Sequence, residues 1–268
     1  WRKAQLAQET IAASHQIGDR RMRCMALTAL GLAQMGMGAY HDGAETDRAA
    51  LALLKKLPSE TYLLGAATAF FSLGIVEQRD PQLFDEAIEL CNLCIASVAE
   101  TAPSAGIAHY CLSRVYMLRG DVARARPHAR QAILALRVEL AVCPIAFAAL
   151  AETLLLQGDL AGASAVCSEG LSLLGQLGEC STAIELLVTA AAVDRARGAE
   201  GDARAKLMDA AARLQRSAAH IPDPALRRQY LTAVPLHRQL SHLMAELQGD
   251  VAGGGQGDTV GDPTRPIG

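Results

Sequence analysis

The stretch Tyr110-Cys111-Leu112-Ser113-Arg114-Val115-Tyr116-Met117-Leu118-Arg119-Gly120-Asp121-Val122-Ala123-Arg124-Ala125 decides the fold. Apolar residues recur at helical spacing up to Leu118, and Gly120-Asp121 divides them from a second such run. Glycine ends a helix by adopting the left-handed conformation, and aspartate caps the start of the next. The dipeptide predicts a tight turn between two antiparallel helices.

The arrangement returns along the chain. Gly158-Asp159 and Gly201-Asp202 repeat the dipeptide, with Arg79-Asp80 and Gly38-Ala39 as degenerate versions, at spacings of 41, 41, 38 and 43 residues in chain order. Eight residues before the first four turns stand Leu30, Phe71, Leu112 and Leu150. Each is followed by a small residue: Gly31, Ser72, Ser113 and Ala151. A large knob beside a small residue lets a neighbouring helix approach closely. Five residues past the turn come Gly43, Ala125 and Ala163, while Phe84 breaks the pattern where Pro81-Gln82 lengthens its turn.

Composition agrees. The 268 residues are 51% hydrophobic but only 4% aromatic, and alanine and leucine supply most of the apolar character. Small apolar residues close-pack helices, whereas strands favour β-branched and aromatic side chains. The balance argues against a β-sandwich, a β-barrel or a dinucleotide-binding α/β enzyme. A net charge of −3 argues against a dedicated nucleic-acid domain. The longest uncharged stretch, Thr61 to Val76, is 16 residues long, short of the roughly 18 a membrane span needs. It predicts a helix buried in a stack, and no membrane partner is expected.

The fold predicted is all-α: a right-handed α-solenoid of antiparallel helix pairs. Residues 1–20 form the trailing helix of a preceding repeat, and residues 21–220 hold five helix pairs, over about 21–57, 60–99, 104–140, 143–177 and 181–218. Pro58, Pro103 and Pro144 punctuate the joints. Residues 221–248 are expected to form capping helices. Residues 249–268, rich in Gly, Asp, Pro and Thr, are expected to be a disordered tail. Trp1 opens what reads as mid-helix sequence with no secretory pattern, so the chain is expected to be a piece of a longer cytoplasmic protein.

Leu30-Gly31 with Gly38-Ala39-Tyr40, and Leu112-Ser113 with Tyr116, Gly120-Asp121 and Ala125, resemble the tetratricopeptide pattern. The resemblance covers about residues 21–218 and is weakest in the last repeat, where Asp194 replaces the small residue. The period is longer than that family's usual one. The variant resembles repeat regions of bacterial multidomain signalling proteins, both serine/threonine kinases and maltose-regulator-like ATPases. Ile221-Pro222-Asp223, Arg227-Arg228-Gln229-Tyr230-Leu231 and Val234-Pro235 are similar to the C-terminal ends of such kinases. The resemblance implies that the first helix of each pair lines a concave groove. It places Tyr110, Arg114 and Met117 there from the third repeat, and Ala148, Glu152 and Leu155 from the fourth.

Catalytic signatures are absent from the sequence. There is no P-loop, zincin helix or nucleophile elbow, and Gly253-Gly254-Gly255-Gln256-Gly257 carries no lysine. Cys91 and Cys94 share a helix face, and Cys111 and His109 on the next helix would complete four ligands. Their apolar surroundings favour packed thiols, so no metal and no cofactor are expected. The odd count of seven cysteines suits reduced thiols. No catalytic residue is assigned, and any kinase or ATPase activity is expected to lie in another part of the protein.

Charge is banded. Residues 40–102 carry ten acids and four bases, residues 140–194 six acids and no Lys or Arg, and residues 195–238 nine bases and four acids. Between the acidic bands, six arginines stand against Asp121 and Glu139 over residues 110–140. Arg126, Arg130 and Arg137 fall on one helix face, a solvated surface or a docking stripe for an acidic segment. Together these features predict a non-catalytic interaction scaffold that binds a protein or peptide, or docks an adjacent kinase or ATPase domain of its own chain. The alternative is a small-molecule effector-sensing domain, which would need a deep pocket with convergent polar groups.

Overall fold

The computed structural model describes residues 1–57, 59–177, 180 and 182–253. Pro58 and residues 254–268, including most of the expected tail, lie outside the described residues. Those described form thirteen α-helices and one 3-10 turn, with no strand.

After α1 (Arg2–Gln16) come five antiparallel pairs. They are α2 (Arg20–Gly36) with α3 (Tyr40–Leu54), α4 (Thr61–Gln78) with α5 (Phe84–Ser97), and α6 (Pro103–Leu118) with α7 (Val122–Leu136). Then follow α8 (Pro144–Leu156) with α9 (Leu160–Leu177), and α10 (Ala183–Ala196) with α11 (Glu200–Ala219). The first helices α2, α4, α6, α8 and α10 stack on one another as an inner layer, and the second helices clothe it outside. The molecule is an all-α solenoid.

Local chemistry explains the punctuation. Gly38, Gly120 and Gly158 adopt φ of +81°, +77° and +78°, and Arg79 takes the same left-handed role at +58°. Asp121 accepts a hydrogen bond from Arg124 N at 3.1 Å, and Asp159 accepts one from Gly162 N at 2.8 Å. Proline stands at the first turn of α6 and α8, where its missing N–H costs nothing. Phe84 opens α5 only after a 3-10 turn at Pro81–Leu83.

The fifth turn differs from expectation. Gly198, at φ +78°, makes the turn, while Gly201 lies inside α11. Two glycines stand three apart there, and Asp202 falls in the helix's first turn, where a carboxylate suits the dipole. Moving the turn to Gly198 restores the small positions of the repeat, while Ala190 stands where the other repeats carry a large knob. Ala191 takes the small position, and Ala203 matches Ala125 and Ala163 five residues past the turn, all fully buried. Asp194 pairs with Lys206 across the α10–α11 hairpin.

The knobs Leu30, Phe71, Leu112 and Leu150 are all buried, as are Gly31, Ser72, Ser113 and Ala151 beside them. Helix α4 is uncharged as far as Val76, apolar on every side up to Glu77 in its last turn, and sits inside the stack. No helix among the described residues is long and apolar enough to cross a membrane.

Arginines stitch successive pairs together on the outer face. Arg48 meets Glu86 at 3.1 Å, Arg119 meets Asp85 at 2.8 Å, and Arg137 meets Glu169 at 2.8 Å. These are exposed pairs worth at most about 1 kcal/mol each, so they favour register more than stability.

The last two helices, α12 (Pro224–Ala233) and α13 (Pro235–Gly253), do more than close the end of the stack. Arg227 donates two hydrogen bonds to the Ile221 carbonyl, at 3.0 and 2.7 Å, and Asp223 caps α12. This bend turns the chain back over the inner layer. Leu240 is buried with the α10–α11 core. At the other end of the hairpin, Ala233 packs so closely on Gly38 that a Cβ there would stand 2.6 Å from its own.

Candidate functional site: a polar chamber under the C-terminal hairpin

Where α12 and α13 cross the inner layer they leave a partly enclosed cavity of about 240 Å³. Its floor comes from α4, α6 and α10 through Glu77, Tyr110, Arg114 and Glu185; its roof comes from Tyr230 and His237. Each floor residue is a polar group on an otherwise apolar helix face, and the stacking of first helices brings them together.

The Tyr110 hydroxyl donates to both Glu185 carboxylate oxygens, at 2.8 and 3.0 Å. Arg114 is ion-paired with Glu152 on one side and lies 3.9 Å from Glu185 on the other. Only 7% of Arg114 is exposed, so its charge depends on these partners. Burial raises the Glu185 carboxyl, while Arg114 and Tyr110 pull it back.

Glu77 has no such partner. Burial, followed by the nearby negative charge of Glu185, pushes its carboxyl up to about 7. Above it, His237 Nδ1–H donates to the Tyr230 carbonyl at 2.8 Å, which leaves Nε2 as the acceptor. Burial depresses the His237 imidazole, so it is neutral near pH 7. The two rings meet edge-on with centroids 4.4 Å apart.

Of the residues expected in the groove, Tyr110 and Arg114 line this chamber and Glu152 holds Arg114 from its edge. Met117 and Ala148 are buried in the core, and Leu155 packs against it. Glu77, Glu185, Tyr230 and His237 were not anticipated. Their signal was present: Glu77 ends an uncharged run, and Glu185 is a lone acid among Ala183, Ile184, Leu186 and Leu187.

The arginine stripe divides. Arg126 donates to Gln157 at 3.0 Å and Arg137 pairs with Glu169, so both bridge to the following helix pair, while Arg130 is exposed. His109 does not join the cysteines. Its Nδ1 lies 3.0 Å from that of His128, and Tyr116 stacks on the far side of His128. Cys91, Cys94 and Cys111 are buried thiols, with the Cys94 thiol 3.4 Å from the Ser104 carbonyl. No group of three or more metal-ligating side chains occurs among the described residues.

Among the larger hollows, two of 470 and 370 Å³ open at the N-terminal end around Leu6, Met22, Met25 and Tyr62. Their surface is mostly apolar, with Lys3, Thr10, Asp19 and Arg21 also lining the first.

The stacked helix pairs make the class a helical-repeat solenoid. The chain is similar in structure to BtubC (BKLC) from P. vanneervenii, with a TM-score of 0.60 over 83% of this chain and 94% of that one. Sequence identity is 16%, and the likeness is one of fold. No family model and no curated protein matches the sequence.

Proposed function

We propose that the chain is a non-catalytic interaction and regulatory scaffold whose concave face holds a helical segment. A tetratricopeptide-like module of a larger bacterial signalling protein, working in the cytoplasm, is the setting we favour. The partner is then a peptide, or an adjacent kinase or ATPase domain of the same chain. The observation that carries this reading is that the inner layer of first helices already accommodates an amphipathic helical hairpin, α12–α13, from its own chain. A partner helix would take the same place by displacing it, with Arg114, Glu185 and Glu77 as polar anchors in an apolar trough.

The test is to end the chain after His220 and supply residues 221–247 as a peptide in trans. The reading expects the truncated chain to stay helical and to bind the peptide, while the intact chain binds it weakly or not at all. A folded truncated chain that ignores the peptide would overturn it.

The chamber favours a second reading, in which a small molecule held there sets whether the hairpin stays docked. Its lining from both the inner layer and the hairpin would couple occupancy to docking.

A further inference from the structure

From the cavity lining we infer that the chamber is a binding site for a small organic ammonium ion, taken by the Glu77 carboxylate beside Glu185 and roofed by Tyr230. This deepens the effector-sensing reading of the same chamber.

Arg114 is spent on Glu152 and Glu185, and Arg79, which also lines the cavity and acts on Glu185, donates to Gln239 at 3.3 Å. Glu77 lines the same cavity with no hydrogen-bond or ion-pair partner among the described residues, and its electrostatic neighbour is another acid. An acid left this way either stays protonated or waits for a cation. An anionic ligand would face two carboxylates, and among the described residues each lining arginine is already engaged, Arg114 by Glu152 and Glu185 and Arg79 by Gln239. An ammonium group would satisfy Glu77, relieve its repulsion with Glu185, and share the cavity with Tyr110 and Tyr230.

Size and access agree. At about 30 Å³ per water, 240 Å³ holds about eight waters, which suits a short amine and excludes a folded peptide. The rim at Arg79 leaves room for a carboxylate at the far end of the ligand, so both a plain amine and the ammonium end of an amino acid fit the chemistry.

The experiment titrates the full chain with n-butylamine, γ-aminobutyrate and butyrate by calorimetry at pH 6.5, in two buffers of different ionisation heat. The site is expected to take n-butylamine or γ-aminobutyrate and not butyrate, with release of protons as Glu77 ionises. Glu77→Gln, a neutral side chain of the same shape, is expected to weaken binding at least tenfold while keeping the helical circular dichroism. A preference for γ-aminobutyrate over n-butylamine identifies the amino-acid source, and the reverse identifies the plain amine. Should Glu77→Gln fail to fold, proton release by the native chain decides alone. Silence from all three probes, amine binding without proton release, or undiminished binding in Glu77→Gln would overturn the inference. Binding of butyrate alone would overturn the ammonium assignment yet leave the chamber as a ligand site.

Discussion

Arg79, at the left-handed end of α4, donates to Gln239 in α13 across 3.3 Å of space and 160 residues of chain. With the Gly38–Ala233 contact, it fixes the hairpin over helices that belong to the first two repeats. A solenoid ordinarily contacts only its sequence neighbours. Here the C-terminal hairpin ties the last repeat to the first ones, and the chamber exists because of that closure.

The turn at Gly198 and the helical place of Gly201 predict opposite responses to one substitution. Neither glycine has a neighbour within 4 Å of an added Cβ, so only the backbone decides. Gly198→Ala forces a left-handed alanine and should cost about 1–2 kcal/mol. Gly201→Ala replaces a helical glycine and should add about 0.5–1 kcal/mol. Thermal unfolding of the two variants gives the signs; equal effects would place the turn elsewhere.

Asp47 is 1% exposed, and neither carboxylate oxygen has a hydrogen-bond partner among the described residues. It occupies the space that Gly31 leaves, where a Cβ would collide with it. Burial pushes this carboxyl up to about 8, so the folded chain holds its proton where the unfolded chain has lost it. Its contribution is complete below the unfolded value near 4 and is lost as pH rises through 8. Asp47→Asn should therefore gain stability relative to the native chain as pH climbs from 4 to 9, by about 2 kcal/mol or more at the upper end. A stability difference that does not change with pH would contradict this.

The His109–His128 pair runs in the other direction. Burial, aided by the neighbouring His128, lowers His109 to about 4, and burial lowers His128 as well. Both are neutral in the fold, one donating to the other. Their contribution is present above the unfolded value near 6.5 and is lost as pH falls through the lowered folded values, about 4 for His109, by about 1–2 kcal/mol for half-buried rings. Urea unfolding between pH 7 and 4.5 should show that slope, and His109→Gln should flatten it. A variant with the native slope would show that the loss arises from other groups.

How much of this was legible in the sequence follows from what each feature depends on. Helix pairs depend on local chemistry: Gly120-Asp121 and the Leu112-Ser113 knob act within one hairpin, so the solenoid could be read. Gly198 was missed because two glycines three apart each satisfy the turn pattern, and only packing of Ala191 and Ala203 selects between them. Tyr110 and Arg114 were found through a repeat register, since first helices share an inner layer. Tyr230 and His237 could not be, because their place depends on a return of the chain over about 160 residues, which leaves no periodic trace. The lone acids Glu77 and Glu185 were the available clue, each a charge placed on an apolar helix where only a partner or a cavity makes it tolerable.

Docking of α12–α13 on the inner layer is the claim on which chamber and function both depend, and hydrogen exchange measured along the native chain and along Ala233→Trp tests it most directly. The native chain should protect the amides of α12, α13 and the C-terminal turns of α4 as one cooperative unit, comparable to α11. Ala233→Trp, too large to sit on Gly38, should release that protection from all three while sparing α6–α9. Rapid exchange of α12–α13 in the native chain, or protection untouched by the tryptophan, would contradict the account.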